Sequence, residues 1–199
     1  MMRPADCRLL ALAAAAPALA ACGGLQNEAR PLLEELAPSG WADAEAAVVN
    51  AAGETVGRAV FAEAPGGVLM RIDVKGLSKG WHGVHFHQRG DCSDGPDGFK
   101  ASGGHVGLGG NAHGLLNPEG SESGDLPNLY AAADGRVTVE VFRWGVSLYP
   151  SEANAAANGP EPLLDDDGFA VVIHAHPDDH ETQPIGGAGE RVACAAVTG

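Results

Sequence analysis

Residues 46–74 read AAVVNAAGETVGRAVFAEAPGGVLMRIDV and contain three short apolar runs separated by turn residues. The runs at 47–50, 56–63 and 68–74 follow one another closely, with Gly-Glu and Pro-Gly-Gly between them. Glycine and proline punctuate strands because they favour the backbone conformations of turns. The stretch therefore predicts consecutive strands rather than helices.

The remainder of the folded part continues this pattern with longer interruptions. Further strands are predicted at 81–87, 129–132, 137–142, 169–174 and 191–197, and an Asp-Gly pair marks a hairpin before the strand at 137. Three long polar loops separate them, at 90–128, 145–168 and 175–190. Eight short strands with long loops predict an all-β fold, an eight-stranded antiparallel Greek-key barrel or sandwich. Loops of this length commonly carry function.

Composition limits the classes of function. The chain has 199 residues, of which 45% are apolar, enough for one core of ordinary size. Only 12 Lys and Arg stand against 26 Asp and Glu, which gives a net charge of -14. This balance excludes nucleic acid as a partner, because phosphate contacts need clustered basic side chains. No apolar run reaches the ~20 residues of a membrane-spanning helix.

The first 21 residues have the features of a signal peptide for export. A weakly basic start precedes an apolar segment that ends in small residues. Two cleavage sites are possible: ALA at 18–20 suits ordinary signal peptidase, and LAAC at 19–22 resembles the lipobox of bacterial lipoproteins, in which Cys22 is acylated. The predicted organisation is a signal peptide at 1–21, a lipidated N-terminus and flexible tether at 22–45, and a folded domain at 46–199.

The cysteine count favours the lipoprotein interpretation. Cys7 leaves with the leader, and Cys92 and Cys194 remain in the folded part, available for a disulfide. Ordinary cleavage would leave Cys22 as an odd thiol in an oxidising compartment. We therefore expect a periplasmic protein that is anchored to the cell envelope and touches the membrane only through its lipid.

The histidines point to a metal site. His85 and His87 are one residue apart in a predicted strand, so both imidazoles project from the same face. An H-x-H pair alone is often just two exposed polar residues. Here His105 and His113 also lie in the glycine-rich loop, and His174 ends another apolar strand. Sites rich in imidazole suit copper or zinc.

Six segments resemble bacterial Cu,Zn superoxide dismutases and occur in the order found in that family. They are GVHFHQRGDC (83–92), GGH (103–105), HG (113–114), GDLPNL (124–129), VVIHAHPDD (171–179) and GGAGERVAC (186–194). The resemblance extends over roughly residues 46–198. It implies a Greek-key barrel with copper and zinc held by the long loops.

The resemblance also implies roles for individual residues. Copper would be bound by His85, His87, His105 and His174, and His105 would bridge copper to zinc, with His113 and Asp125 as further zinc ligands. Cys92 and Cys194 would form a disulfide. Arg191 would stand over the copper and attract superoxide, and Asp178 would connect a copper-binding histidine to a zinc-binding one, an orienting role common for carboxylates around metal sites.

The zinc motif departs from the family pattern. The family usually has a histidine three residues before the zinc-binding aspartate, where this chain has Glu122. The H-x-N-P segment usual after the bridging histidine reads His105-Val-Gly-Leu. Glutamate binds zinc in other proteins. Two interpretations remain open: Glu122 completes a site with His105, His113 and Asp125, or the zinc site is weak or empty.

The sequence thus predicts an enzyme that dismutes superoxide to dioxygen and hydrogen peroxide at a copper centre in the cell envelope. The alternative is a copper-binding or buffering protein of the same fold with little dismutase activity. Arg191 favours the enzyme, because a buffer has no need of a cation over an open copper face. Lys100 and Arg89 are further candidates for attracting the anionic substrate. The motifs leave open whether the protein is a monomer or a homodimer.

Overall fold

The computed structural model describes residues 40–107, 110–155 and 159–199. The predicted signal peptide, Cys22 and most of the predicted tether lie outside these ranges. Eleven strands occur in the described residues: β1 (Ala44–Asn50), β2 (Thr55–Ala64), β3 (Gly67–Val74), β4 (Gly80–His82), β5 (Val84–His87), β6 (Leu129–Ala131), β7 (Val137–Trp144), β8 (Val146–Ser147), β9 (Glu161–Pro162), β10 (Phe169–His174) and β11 (Arg191–Val197). The helical segments described are short 3-10 turns at Gly95–Asp97, Lys100–Ser102 and Glu152–Ala155. None of them is long or apolar enough to cross a membrane.

Seven strands form one curled sheet in the order β5-β10-β11-β1-β2-β3-β7. Every pair in this sheet is antiparallel. Strands β4 and β6 form a small antiparallel pair, and β8 and β9 a small parallel one. The prediction of an all-β, mainly antiparallel fold is confirmed.

Alternating side chains of the curled sheet build the core. Phe61 on β2, Phe86 on β5 and Phe169 on β10 are fully buried and pack edge to face, with ring centroids 5.1 to 6.4 Å apart. Each aromatic pair of this kind contributes about 0.5–1.5 kcal/mol beyond its buried area. Because β5 and β10 share this core, the histidines on their other face have a rigid base.

The run at 81–87, predicted as a single strand, is divided at Gly83. Strand β4 pairs with β6, whereas β5 pairs with β10. At the division, Gly83 N–H donates to His176 O and Gly83 O accepts from His174 N–H, both at 2.8 Å. A side chain here would collide with its surroundings, since a Cβ would lie 2.9 Å from Ala188 Cβ. The glycine therefore lets the chain change partner and brings β5 beside the end of β10.

A disulfide ties the first long loop to the last strand, as predicted. Cys92 and Cys194 are bonded with their Cα atoms 5.8 Å apart, and they are 102 residues apart in sequence. Cys194 belongs to a second buried apolar cluster, with Phe99 from the loop and Ala170 and Val172 from β10. The bond and the cluster fix the loop over the histidine face of the sheet.

Candidate metal centre

Four histidines converge outside the sheet. His85 and His87 lie opposite Val172 and Ala170 across the β5–β10 pair, and His174 is the last residue of β10. His105 reaches them from the loop through a bridge to His87. One nitrogen from each ring lies within 4.8 Å of the others, and all four side chains are buried. We call this group the four-histidine cluster: His85, His87, His105 and His174.

Hydrogen bonds fix which ring nitrogens face inward. His87 Nδ1–H donates to Gly103 O at 2.9 Å, and His174 Nδ1–H donates to Gly189 O at 3.0 Å. His85 is turned the other way, because its Nε2–H donates to the Asp178 carboxylate at 2.9 Å. A neutral imidazole with one nitrogen donating carries a lone pair on the other. The lone pairs of these three rings therefore point into the cluster.

The inward nitrogens have no partner in the protein. His85 Nδ1, His87 Nε2, His105 Nε2 and His174 Nε2 are all buried without a hydrogen bond. Leaving one such group unsatisfied costs about 1–3 kcal/mol. Four unsatisfied lone pairs converging on one point fit a metal ion, and an all-imidazole set suits copper.

Burial keeps His85, His87 and His174 neutral. It lowers the pKa of His85 to about 4 and the pKa of His174 to about 3. It also lowers the pKa of His87 to about 2, with a further decrease from the nearby charge of Arg191. At neutral pH a metal ion therefore finds free lone pairs and does not compete with protons.

A second group lies on the far side of His105 and mixes imidazoles with carboxylates. We call it the mixed cluster: His105, His113, Glu122 and Asp125. Nδ1 of His105 is 2.7 Å from Glu122 Oε2 and 3.7 Å from Asp125 Oδ1. Nδ1 of His113 is 3.5 Å and 2.7 Å from the same two oxygens. Ligands in a tetrahedral zinc site lie about 3.3 Å from one another, and these four imidazole–carboxylate distances, 2.7 to 3.7 Å, are close to that value.

His85 also reaches the mixed cluster, since one of its atoms lies within 4.8 Å of ligand atoms of His105, His113 and Asp125. We assign it to the four-histidine cluster, because its unpartnered Nδ1 belongs there and its Nε2 is held by Asp178. Glu122 belongs to the mixed cluster because its carboxylate contacts both His105 and His113 directly.

Charge in the mixed cluster favours a bound cation. Burial alone would lower the pKa of His113, but hydrogen bonds to Asp125, Asp178 and Glu122 outweigh it and raise this pKa to about 11. Burial opposes ionisation of Glu122 as well, yet His105 and His113 lower its pKa to about 2. Without metal the site therefore holds a protonated imidazole among ionised carboxylates, and zinc would replace that proton.

One carboxylate joins the two clusters. Asp178 accepts from His85 Nε2–H at 2.9 Å and from His113 Nε2–H at 3.2 Å, using different oxygens. It is buried, and burial would raise its pKa, but the bonds from His113 and His85 hold the pKa well below the usual range. Asp178 therefore orients one ring of each cluster at once.

Arg191 begins β11 and reaches back over the loop to the four-histidine cluster. Its guanidinium donates to Phe99 O at 2.7 Å, to Ser102 Oγ at 3.1 Å and to Gly103 O at 2.9 Å. Gly103 O is the same carbonyl that accepts from His87. These acceptors are neutral, so the charge of the guanidinium remains available to an anion. Burial lowers the pKa of Arg191, with Asp94 opposing the shift, but an arginine stays protonated.

An open cavity of about 650 Å³ lies against Arg191. Lys100 and Glu190 also line it, as does Gly189, the partner of His174. Arg89 lies elsewhere: it faces Asp167 at 3.7 Å in an exposed pair and lines a different cavity. Of the two additional cations considered from the sequence, the structure brings only Lys100 to the cavity beside Arg191.

Two amide side chains that support the site were not predicted. Asn128 holds both backbone groups of Asp178, with bonds of 2.9 and 2.7 Å. Gln183 likewise holds the N–H and the C=O of His113, at 3.1 and 2.8 Å. Asn128 lies within one of the segments that carry the resemblance, but nothing in the sequence distinguishes either residue from an ordinary loop amide.

Comparisons with known proteins agree with this chemistry. The family described as copper/zinc superoxide dismutase (SODC) matches residues 55–197. A protein named superoxide dismutase [Cu-Zn] from Caulobacter vibrioides is 52% identical over 153 residues, covering 76% of this chain and 83% of the relative. Superoxide dismutase [Cu-Zn] 2 from Aquifex aeolicus is 40% identical over 155 residues, covering 77% and 85%. The crystal structure of a SOD-like protein from Bacillus subtilis aligns with a TM-score of 0.67 at 34% identity, covering 76% of this chain and 96% of that one.

Proposed function

This chain belongs to the copper/zinc superoxide dismutase family, and on that premise we propose that it dismutes superoxide at a copper ion held by the four-histidine cluster. Two superoxide ions and two protons give one dioxygen and one hydrogen peroxide. Four buried imidazole nitrogens without hydrogen-bond partners carry the proposal, because they provide an all-imidazole donor set for a redox-active metal.

The mixed cluster would hold zinc, with Glu122 as the fourth ligand beside His105, His113 and Asp125. The short contacts of Glu122 Oε2 to the two imidazoles support this assignment. The second carboxylate makes the site more negative than one with a third histidine in its place. His105 would contact both metals, since its Nε2 faces the four-histidine cluster and its Nδ1 faces the mixed cluster.

Copper held by the four-histidine cluster would supply the one-electron chemistry of the reaction. The protein supplies charge, orientation and protons. Arg191 attracts the anion and positions it, because three neutral acceptors fix its guanidinium beside the cavity. His105 Nε2 is placed to take up a proton and deliver it to the product peroxide, because the mixed cluster holds the same ring at Nδ1.

The net charge of -14 repels an anionic substrate on average. A cleft that focuses the field of a few cations can outweigh this repulsion. Arg191 and Lys100 line one cavity and would supply that local field. A metal buffer would not need a fixed guanidinium there, which favours an enzyme over a copper-storage protein.

The protein would act in the periplasm, anchored through an acylated Cys22. The small-residue LAAC segment at 19–22 supports this location, and so does the Cys92–Cys194 disulfide, because disulfides persist in oxidising compartments. Intact mass of the protein from membranes tests it. We expect an acylated N-terminus at Cys22, and an unmodified N-terminus at Ala21 would contradict it.

Superoxide consumption by the purified mature chain, loaded with copper alone and with copper and zinc, tests the activity. We expect rapid consumption by both forms and a different rate when zinc is present. A protein that binds copper at the four-histidine cluster but leaves superoxide decay at its spontaneous rate would be a copper buffer instead.

A further inference from the structure

Arg143 lies near the end of β7, outside all six segments that carry the family resemblance. Its side chain turns onto the loop that carries Glu122. Nε–H donates to Ser123 O at 2.9 Å, and Nη2 donates to Glu122 O at 2.7 Å and to Ser121 Oγ at 3.0 Å. A planar guanidinium that donates hydrogen bonds to three consecutive residues fixes the path of their backbone.

The other face of the same loop is held by a zinc-ligand candidate. Glu122 N–H donates to Asp125 Oδ2 at 2.9 Å, and Asp125 N–H donates to Glu122 O at 3.1 Å. Glu122 O thus accepts from both Arg143 and Asp125. Because the backbone of Glu122 is held on both sides, its carboxylate has little freedom other than to face His105 and His113.

The charge of Arg143 has no ion-pair partner in the part of the chain that the structure describes. Among the described residues no carboxylate lies within ion-pair distance of this half-buried guanidinium. Burial lowers the pKa of Arg143, and the charge of Asp125 acts against that shift. The cation therefore lies where its charge acts on Asp125 of the mixed cluster without bonding to it, which leaves the carboxylate oxygens free for a metal.

The carboxylates around the mixed cluster make such a cation useful. Glu122 and Asp125 both contribute an oxygen, and Asp178 contacts His113 from outside. Three buried carboxylates around two imidazoles exceed the charge of one divalent ion. Like charges at this spacing disfavour one another's ionisation, and a nearby cation relieves that repulsion.

We propose that Arg143 is the positioning and counter-charge residue of a carboxylate-rich zinc site. It holds residues 121–123 so that Glu122 faces the metal, and its charge offsets the excess of carboxylates around the site. The inference rests on the proposed role of Glu122 as a zinc ligand.

Zinc affinity of the copper-free full chain, measured by competition with a chelator, tests the proposal. R143Q replaces the guanidinium with a neutral amide that still donates hydrogen bonds. R143K keeps the positive charge but loses the planar group that donates to several acceptors at once. Removal of a residue that supports metal ligands weakens metal binding by about 10–100-fold. We expect a loss of this size for R143Q and a smaller one for R143K. The control R136M removes an arginine that pairs with Asp73 on the barrel, and we expect it to leave zinc affinity unchanged.

The counter-charge role predicts coupling to Glu122. In an E122H background the second carboxylate is gone, so R143Q should cost much less zinc affinity than in the native chain. The absorption spectrum of bound Co²⁺ reports the ligand geometry independently, and R143Q should change it while R136M does not. Unchanged zinc affinity in R143Q, or an equal loss in both backgrounds, overturns the counter-charge role. If R143Q does not fold, an R143K variant with native affinity and an unchanged Co²⁺ spectrum overturns the positioning role.

E122Q distinguishes a failure of this inference from a failure of the proposed zinc site. If E122Q binds zinc as tightly as the native chain and with the same Co²⁺ spectrum, Glu122 is not a ligand and both claims fall. If E122Q weakens zinc while R143Q and R143K do not, the zinc assignment stands and only the role of Arg143 is refuted.

Discussion

Asp178→Asn is the substitution whose effect follows most directly from the geometry. The carboxylate accepts one hydrogen bond from His85 and one from His113, through two different oxygens. Asparagine has nearly the same shape but only one oxygen, and its amide group is a donor. One of the two imidazole N–H groups must then face another donor inside a buried site.

The size of the effect can be derived from these bonds. A buried N–H without a partner costs about 1–3 kcal/mol. The remaining bond loses its charge assistance and with it about half its strength. Since each ring would bind a metal through its other nitrogen in the proposed assignment, the penalty should appear as weaker metal binding, and we expect a loss of about 10–100-fold for each metal.

Chelator competition measures both dissociation constants, with copper and zinc titrated separately. The matched control is Asp179→Asn, the same change one residue along, where the carboxylate is exposed and caps the turn at Thr182. The control should bind both metals like the native chain. Native affinity in the Asp178→Asn variant, or an equal loss in the control, would refute the idea that this one carboxylate orients both clusters.

Three further predictions follow from the site. Arg191→Ala should slow superoxide turnover and flatten its dependence on ionic strength while copper stays bound. The control is Arg89→Ala, which removes an exposed arginine away from the cavity. Unchanged kinetics in the Arg191 variant would exclude a role of Arg191 in attracting the substrate. Replacing both Cys92 and Cys194 with serine opens a cross-link between residues 102 apart and should lower the free energy of unfolding by about 2–5 kcal/mol in a denaturant titration; a change below about 1 kcal/mol would contradict this. Zinc requires a neutral imidazole, and the pKa of His113 is raised to about 11, so zinc uptake at pH 7 should release a proton from His113 and zinc affinity should rise with pH up to about 11. Copper uptake should release no proton from His85, His87 or His174, because their pKa values are lowered. Calorimetry in buffers of different ionisation enthalpy measures the number of protons released by each metal, and equal numbers for the two metals would contradict the prediction.

The strands were predictable because the signals that define them are local. Alternating apolar residues and turn dipeptides placed seven of the eight predicted strands close to their observed positions. The division of the run at 81–87 was not predictable in this way, since it depends on Gly83 packing against residues 174–176 and Ala188, which are distant in sequence. The two-residue strands β8 and β9 were missed because a pair so short leaves no periodic pattern.

The side chains of the two clusters were predictable from the sequence in two steps. The H-x-H spacing indicated two imidazoles on one face, and the resemblance supplied the remaining residues and their roles. The groups that set the ring tautomers were not accessible, because Gly103 and Gly189 act through backbone carbonyls. Every residue has a carbonyl, so only the folded chain reveals which ones are used.

Under the proposed role of Arg143, the change at Glu122 is accommodated by a residue elsewhere in the fold. The sequence reveals that a carboxylate stands where a histidine is usual, which by itself suggests a damaged zinc site. The structure adds a guanidinium that contacts the same loop from 21 residues further along, on a strand with no recognised motif. A carboxylate in place of a neutral imidazole adds one negative charge to the site. A cation nearby offsets that charge, so the net charge of the site stays close to what it would be with an imidazole. An altered ligand is therefore evidence for a lost metal site only when the neighbouring charges do not compensate for it, and the position of Arg143 supports the proposal that zinc is retained here.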